Sequence, residues 1–145
     1  MDATVLALAG LSRLGYRVTA EGFLEGRDIP TGVMAVILDA ETMLPCVGQG
    51  AIGIEVRQDD ARIDPICGAL NHSETMACVL AERAFLEAMG GGCQSPVAAY
   101  AEVTGELMRL RARSFTEGPA RSAELKGPVT EAANLGKQIA DELKG

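Results

Sequence analysis

Apolar positions along the chain follow three patterns, and each predicts a different kind of element. Thr4-Val5-Leu6-Ala7-Leu8, bounded by Asp2 and Gly10, is a short continuous run. It fits a strand buried on both faces, as in a parallel sheet. A helix competes for the same stretch, because Ala and Leu are strong helix formers. Val33 to Leu38 (VMAVIL) is a second such run, richer in β-branched residues and ended by Asp39. Strict alternation marks Ala51 to Arg57, where Ile52, Ile54 and Val56 interleave with Gly53, Glu55 and Arg57. That period of two predicts a strand with one buried face. Val97 to Val103 reads the same way, and Gly105 supplies the turn into Leu107 to Arg113. There Met108, Leu110 and Ala112 share one face and Arg109, Arg111 and Arg113 the other. A further strand is expected near Ser122 to Lys126, beyond the Gly118-Pro119 turn.

Helical spacing accounts for most of the rest. Ala9 to Leu14 turns Leu11 and Leu14 to one side and Arg13 to another, and Gly15 stops it. Asp64 to Leu70 forms a short helix with Pro65 in its first turn. Asn71 with Glu74 resembles a capping box for a helix running to about Met89. Within that helix the charges beyond the cap are Glu82, Arg83 and Glu87, so it reads as apolar nearly all round and central. Gly90-Gly91-Gly92 ends it. A closing helix from about Val129 to Leu143 turns Ala132, Leu135, Ile139 and Leu143 inward. Glu21 to Thr31, with two Gly and a Pro, reads as loop, as does the stretch around Pro45, Gly48 and Gly50. The expected fold is an α/β segment followed, from about residue 71, by a small α+β unit. That unit has a three-stranded antiparallel sheet with helices on one face.

Composition removes several function classes. The chain has 145 residues, 13 Lys+Arg against 20 Asp+Glu and a net charge of −7. With no Trp, two Tyr and three Phe it lacks both the basic field and the stacking platforms of a nucleic-acid binder. No apolar run approaches the roughly 20 residues of a membrane helix. Met1-Asp2-Ala3-Thr4 has no basic n-region of a secretory signal, so a cytoplasmic protein is expected. Cys46, Cys67, Cys78 and Cys93 make no C-x-x-C pair, and His72 is the single histidine, so no metal site is expected. His72, at the start of a helix, suits a capping role.

Two features remain as candidate chemistry. Cys93 follows three glycines and precedes Gln94-Ser95-Pro96 in a helix-to-strand connection. The absence of side-chain bulk leaves room for a large group on its sulfur, whereas a small buried filler is the alternative. A helix C-terminus disfavours the thiolate, so chemistry there calls for a very reactive electrophile. Arg13, Arg57 and Arg83 punctuate apolar segments, and guanidinium forks bind carboxylates bidentately. Pairing within the chain, such as Arg83 with Glu87, is the alternative. The stripe of Arg109, Arg111 and Arg113 reads as a solvated sheet face.

Five segments in order carry a resemblance: DATVLALAGLSRLG from Asp2, LPCVGQGAIGIEVR from Leu44, LNHSET from Leu70, AERAFLEA from Ala81 and GGCQSPVAAYAE from Gly91. Together they resemble the C-terminal half of the hydroxymethylbilane synthase (porphobilinogen deaminase) family. The resemblance implies a transferase that condenses four porphobilinogens into a linear tetrapyrrole with release of ammonia, on the route to porphyrins and haem. It implies that Cys93 holds a dipyrromethane cofactor through a thioether, the electrophile being an azafulvene-type cation. Arg13 matches an arginine that binds pyrrole carboxylates, and Gln49 and Gly50 match the loop beside the active cleft.

The same resemblance implies a division of the chain. Residues 1–45 would end a second, periplasmic-binding-protein-like α/β domain. Residues 46–70 would return to the first domain, and 71–145 would form the cofactor-bearing third. The catalytic aspartate, a neighbouring lysine and several arginines belong to the N-terminal half of the family enzyme, so no catalytic residue is assigned here. That half is the expected partner, beside porphobilinogen and the growing pyrrole chain. Gly90 departs from the family's usual acidic residue, and the segment from about Ala20 to Thr42 is longer than usual. A non-catalytic small-molecule-binding module, or a structural partner of a separately encoded N-terminal half, stays open as the alternative.

Overall fold

The computed structural model describes residues 3–92, 94–116 and 118–144. It divides into two compact units, Met1–Met43 and Leu44–Gly145.

In the first unit the helical expectation is met by α1 (Leu8–Arg13). The buried strand over Thr4 to Leu8 is not: residues 3–7 have no regular structure, and Val5 and Leu6 are exposed. A parallel strand needs neighbours on both sides, and the described residues supply none there. The expected loop Glu21 to Thr31 instead contains a strand. β1 (Arg17–Val18) and β2 (Leu24–Glu25) pair antiparallel, with Arg17 opposite Glu25. The start of the VMAVIL run lies along β2, where Leu24 N–H donates to Val33 O and Ala35 N–H to Gly22 O, both at 2.9 Å. Beyond one isolated bridge, Phe23 to Met34, it forms no ladder.

The second unit contains α2 (Asp64–Leu70), α3 (Ser73–Ala88), β3 (Val97–Thr104), β4 (Leu107–Ser114), β5 (Arg121–Pro128), a 3-10 turn (Val129–Glu131) and α4 (Ala132–Lys144). Its sheet is antiparallel in the order β3-β4-β5, with Ala101 opposite Leu110 and Leu110 opposite Leu125. The alternation seen in the sequence sends Val97, Ala99, Ala101, Met108, Leu110 and Ala112 to one face, where α3 and α4 cover them. Phe85, Met108, Leu110 and Ile139 are the largest fully enclosed side chains. Gly136 lets α4 cross α3 closely, because a Cβ there would collide with the Ala81 carbonyl and lie 2.8 Å from Phe85 N. At the far end of the sheet, Arg121 donates to the Leu143 carbonyl at 2.9 Å and satisfies an orphan acceptor of the last turn of α4.

Three local expectations are corrected. Ala51 to Arg57 forms no strand, and Ile52, the most exposed of its apolar residues, is 80% exposed. Alternation makes a strand only where a hydrogen-bonding neighbour and an apolar surface receive it. The N-cap of α3 is His72 rather than Asn71, its Nδ1 accepting from Thr75 N–H at 3.3 Å. Nor is α3 buried all round: it turns Ala81, Glu82, Ala84 and Phe85 to the core, while Met76 and Leu80 are exposed.

Candidate functional site

β3 is an edge strand, and its outer N–H groups would be open to any passing chain. Two groups from this unit close it. Ala99 N–H donates to the Pro45 carbonyl at 3.2 Å. Ala101 N–H donates to Glu82 Oε1 at 2.9 Å. The segment after Pro45 is therefore laid beside the edge, and Val47 packs against the core. Two successive turns follow, closed by Gln49 N–H to Cys46 O and Ala51 N–H to Gly48 O. Gly48 and Gly50 hold φ of 70° and 84°, a region side chains disfavour, so this turn chemistry requires glycine.

The loop, the first turns of α3 and the end of β3 enclose a cleft of about 370 Å³. Gln49 and Gly50 line it, together with His72, Cys78, Glu82 and Tyr100. Glu82 is the deepest charge, 6% exposed. Its second oxygen, Oε2, accepts the Gly48 N–H at 2.7 Å. Burial pushes its carboxyl above the ordinary range, and the two amide donors offset only part of that. Cys78 is pushed up as well, first by burial and then by the Glu82 charge, which makes it a poor nucleophile.

The sequence reading passed over Glu82 as one of three charges on a helix. Its signal was present: an acid in a helix that is apolar nearly all round has to be paired when buried.

Cys93 lies outside the described residues. Around it, Gly90 ends α3 with φ 72°, and Gly91 N–H donates to Leu86 O at 3.1 Å. Gly92 and Ser95 bond reciprocally at 2.9 Å, Gly92 N–H to Ser95 Oγ and Ser95 N–H to Gly92 O. A Cβ on Gly90 or Gly92 would meet nothing within 4 Å. A Cβ on Gly91, by contrast, would collide with the Ser95 side chain, so the turn is packed at Gly91 and open at Gly90 and Gly92, where the residues present leave room for a bulky group. The described residues around Cys93 (Gly90, Gly91, Gly92, Gln94 and Ser95) do not line the cleft that holds Gln49 and Gly50. Arg13 sits in the last turn of α1, exposed, in the other unit. Arg57 and Arg83 are exposed too.

The arginine stripe on the outer sheet face is engaged within the sheet. Arg109 meets Glu124 at 2.8 Å, and Arg111 meets Glu102 at 2.8 Å while lying 5.3 Å from the centre of the Tyr100 ring. Arg111 is buried, so that position is not a solvated face as its spacing suggested. Among the described residues no cluster of His, Cys, Asp and Glu is arranged to hold a metal ion. No described helix is long and apolar enough to cross a membrane.

Comparison with known proteins gives two family matches in chain order. Residues 1–65 match the family model "Porphobilinogen deaminase, dipyromethane cofactor binding domain", and residues 76–145 match "Porphobilinogen deaminase, C-terminal domain". Among similar curated proteins, the porphobilinogen deaminase of Paracoccus denitrificans (strain Pd 1222) is 39% identical over 145 residues. That of Geobacter metallireducens (strain ATCC 53774 / DSM 7210 / GS-15) is 38% identical over the same length. Each alignment takes in 99% of this chain but only 42% and 41% of the relative, so the chain spans well under half of their length.

Proposed function

The chain belongs to the porphobilinogen deaminase family, and we propose that it is the C-terminal portion of such an enzyme, carrying its cofactor attachment point. The observation that carries this reading is the pair of family matches, which follow one another along 1–65 and 76–145. In this reading the whole enzyme joins four porphobilinogens into a linear tetrapyrrole in the cytoplasm, and the N-terminal half is the obligatory partner. Residues 1–45 complete the second domain, 46–70 return to the first, and 71–145 form the third.

Each candidate residue then has a task. Cys93 provides the sulfur for the dipyrromethane, which when bound supplies the anchored acceptor for chain growth. The space beside Gly90 and Gly92 supports that role. Gln49 and Gly50 line the cleft on the side of the growing pyrrole chain. Arg13 binds pyrrole carboxylates, for which its exposed guanidinium is suited. The acidic catalytic group and most carboxylate-binding arginines come from the partner half, and such groups act as one preorganised site.

The test is reconstitution. Joined to a matching N-terminal half, the chain should gain the mass of a covalent dipyrromethane, mapping to the peptide that contains Gly91-Gly92-Cys93-Gln94. Cys93→Ser should abolish the adduct, while substitutions of Cys46, Cys67 or Cys78 leave it in place. An adduct on another cysteine, or an active reconstituted enzyme without one, overturns the assignment. Alone, the 145-residue chain should not consume porphobilinogen.

A further inference from the structure

Glu82 is the one buried carboxylate among the described residues. An apolar side chain would fill the same space without desolvating a charge. What an apolar residue would not do is accept two backbone N–H groups from segments far apart in sequence. One belongs to Ala101 in β3, 19 residues away, and the other to Gly48, 34 residues away. The Gly48 amide opens the tight turn that delivers Gln49 and Gly50 to the cleft wall. We propose that Glu82 is a positioning residue: its carboxylate ties the Gly48 amide to the edge of β3 and so sets where Gln49 and Gly50 meet a pyrrole carboxylate ligand.

The proposal rests on the reading that this cleft receives the pyrrole chain, and deepens it. Edge closure alone would need only the Oε1 bond to Ala101. The shorter bond, 2.7 Å against 2.9 Å, goes to the loop. Hydrogen bonds to charged acceptors are the stronger kind, and the two here leave the loop with one defined height above α3. A carboxamide at this position has a single acceptor oxygen, and its NH2 group would face one of the two N–H donors.

The experiment uses the 145-residue chain, residue-resolved amide exchange and porphobilinogen itself as the probe. In Glu82→Gln the Gly48 amide should exchange roughly tenfold to hundredfold faster, the range set by losing a hydrogen bond to a charged group. Leu110 and Ile139 amides should keep their protection. Porphobilinogen should shift the Gln49 and Gly50 resonances of the parent chain, and bind Glu82→Gln at least tenfold more weakly. Glu82→Asp keeps the charge but is one methylene shorter, so it should release the Gly48 amide too; it carries the test if the Gln variant does not fold. Unchanged Gly48 exchange in a folded variant overturns the tie. A freed loop with porphobilinogen affinity within twofold of the parent overturns positioning. If the parent chain shows no shift at Gln49 or Gly50 while the variant still frees Gly48, the cleft reading fails and takes the ligand half of the proposal with it.

Discussion

Residues 3–70 and 71–144 are similarly rich in short apolar runs, yet they end in opposite states. From Ala81 to Leu143 the alternating strands and the two long helices bury a shared core around Phe85, Met108, Leu110 and Ile139. Before Ala81 no described residue is buried at all, and Val5, Val36, Ile37, Ile52 and Ile54 stand mostly in solvent. The difference is not hydrophobicity. In the later region the inward apolar faces of the sheet and helices find their complement within the same stretch of chain, whereas Thr4 to Leu8 and Ala51 to Arg57 find none among the described residues.

The sharpest way to break this comparison is a matched pair of truncations. Ile139→Ala removes a fully enclosed side chain and should lower stability by about 2–5 kcal/mol. Ile54→Ala, at a residue 58% exposed, should stay within about 0.5 kcal/mol. Urea unfolding followed by circular dichroism checks both, and equal losses would dissolve the distinction. Next in size, Gly136→Ala should cost about 1–3 kcal/mol by overpacking, since the added Cβ collides with the Ala81 carbonyl and α3 cannot retreat without opening the core. A crystal structure showing α4 unshifted in a fully stable variant would count against the close crossing. Arg121→Ala should cost about 1 kcal/mol, by leaving the Leu143 carbonyl without its donor. Its effect should show as faster amide exchange confined to the last turn of α4.

How far the sequence could be read follows the same divide. The three strands, their register faces and the closing helix were legible, because period 2 and period 3.6 report burial whenever the burying partner lies nearby in the chain. Thr4 to Leu8 and Ala51 to Arg57 gave equally good strand patterns and formed none. Their periodicity records a surface that needs covering, and no described neighbour covers it. At the cleft, Gln49 and Gly50 were found through a resemblance, and the positive φ of Gly48 and Gly50 then explained the glycines physically. Glu82 was missed because hydrogen bonds spanning 34 and 19 residues leave no periodic trace. His72 was legible as a cap, although Asn71 was assigned the position it occupies.

The smallest expected effect is a slope rather than a loss, and it separates the two regions by pH. Burial raises the Glu82 carboxyl above its ordinary value of 4.5, so the folded second unit holds that proton more tightly than the unfolded chain. The stability this group contributes is complete below 4.5 and is lost as pH rises through its folded value. Asp60 and Glu124 run the other way. Arg62 and Arg109 hold them below the ordinary carboxylate range, so their contribution is present at neutral pH and fades in acid, and as exposed groups they are strongly screened. Glu74, Glu102, His72, Cys78 and Tyr100 line the cleft with Glu82, so the parent chain's own pH profile is not assigned to any one group. The difference between parent and Glu82→Gln isolates one. Urea midpoints measured from mildly acidic to neutral pH should show the parent losing ground to the variant as pH rises, because the variant has no proton to release. Ile54→Ala, compared with the parent in the same series, should give a flat difference. A parent-minus-Gln difference that is flat, or that grows with pH, would mean Glu82 is solvated and not the buried charge that ties the loop to β3.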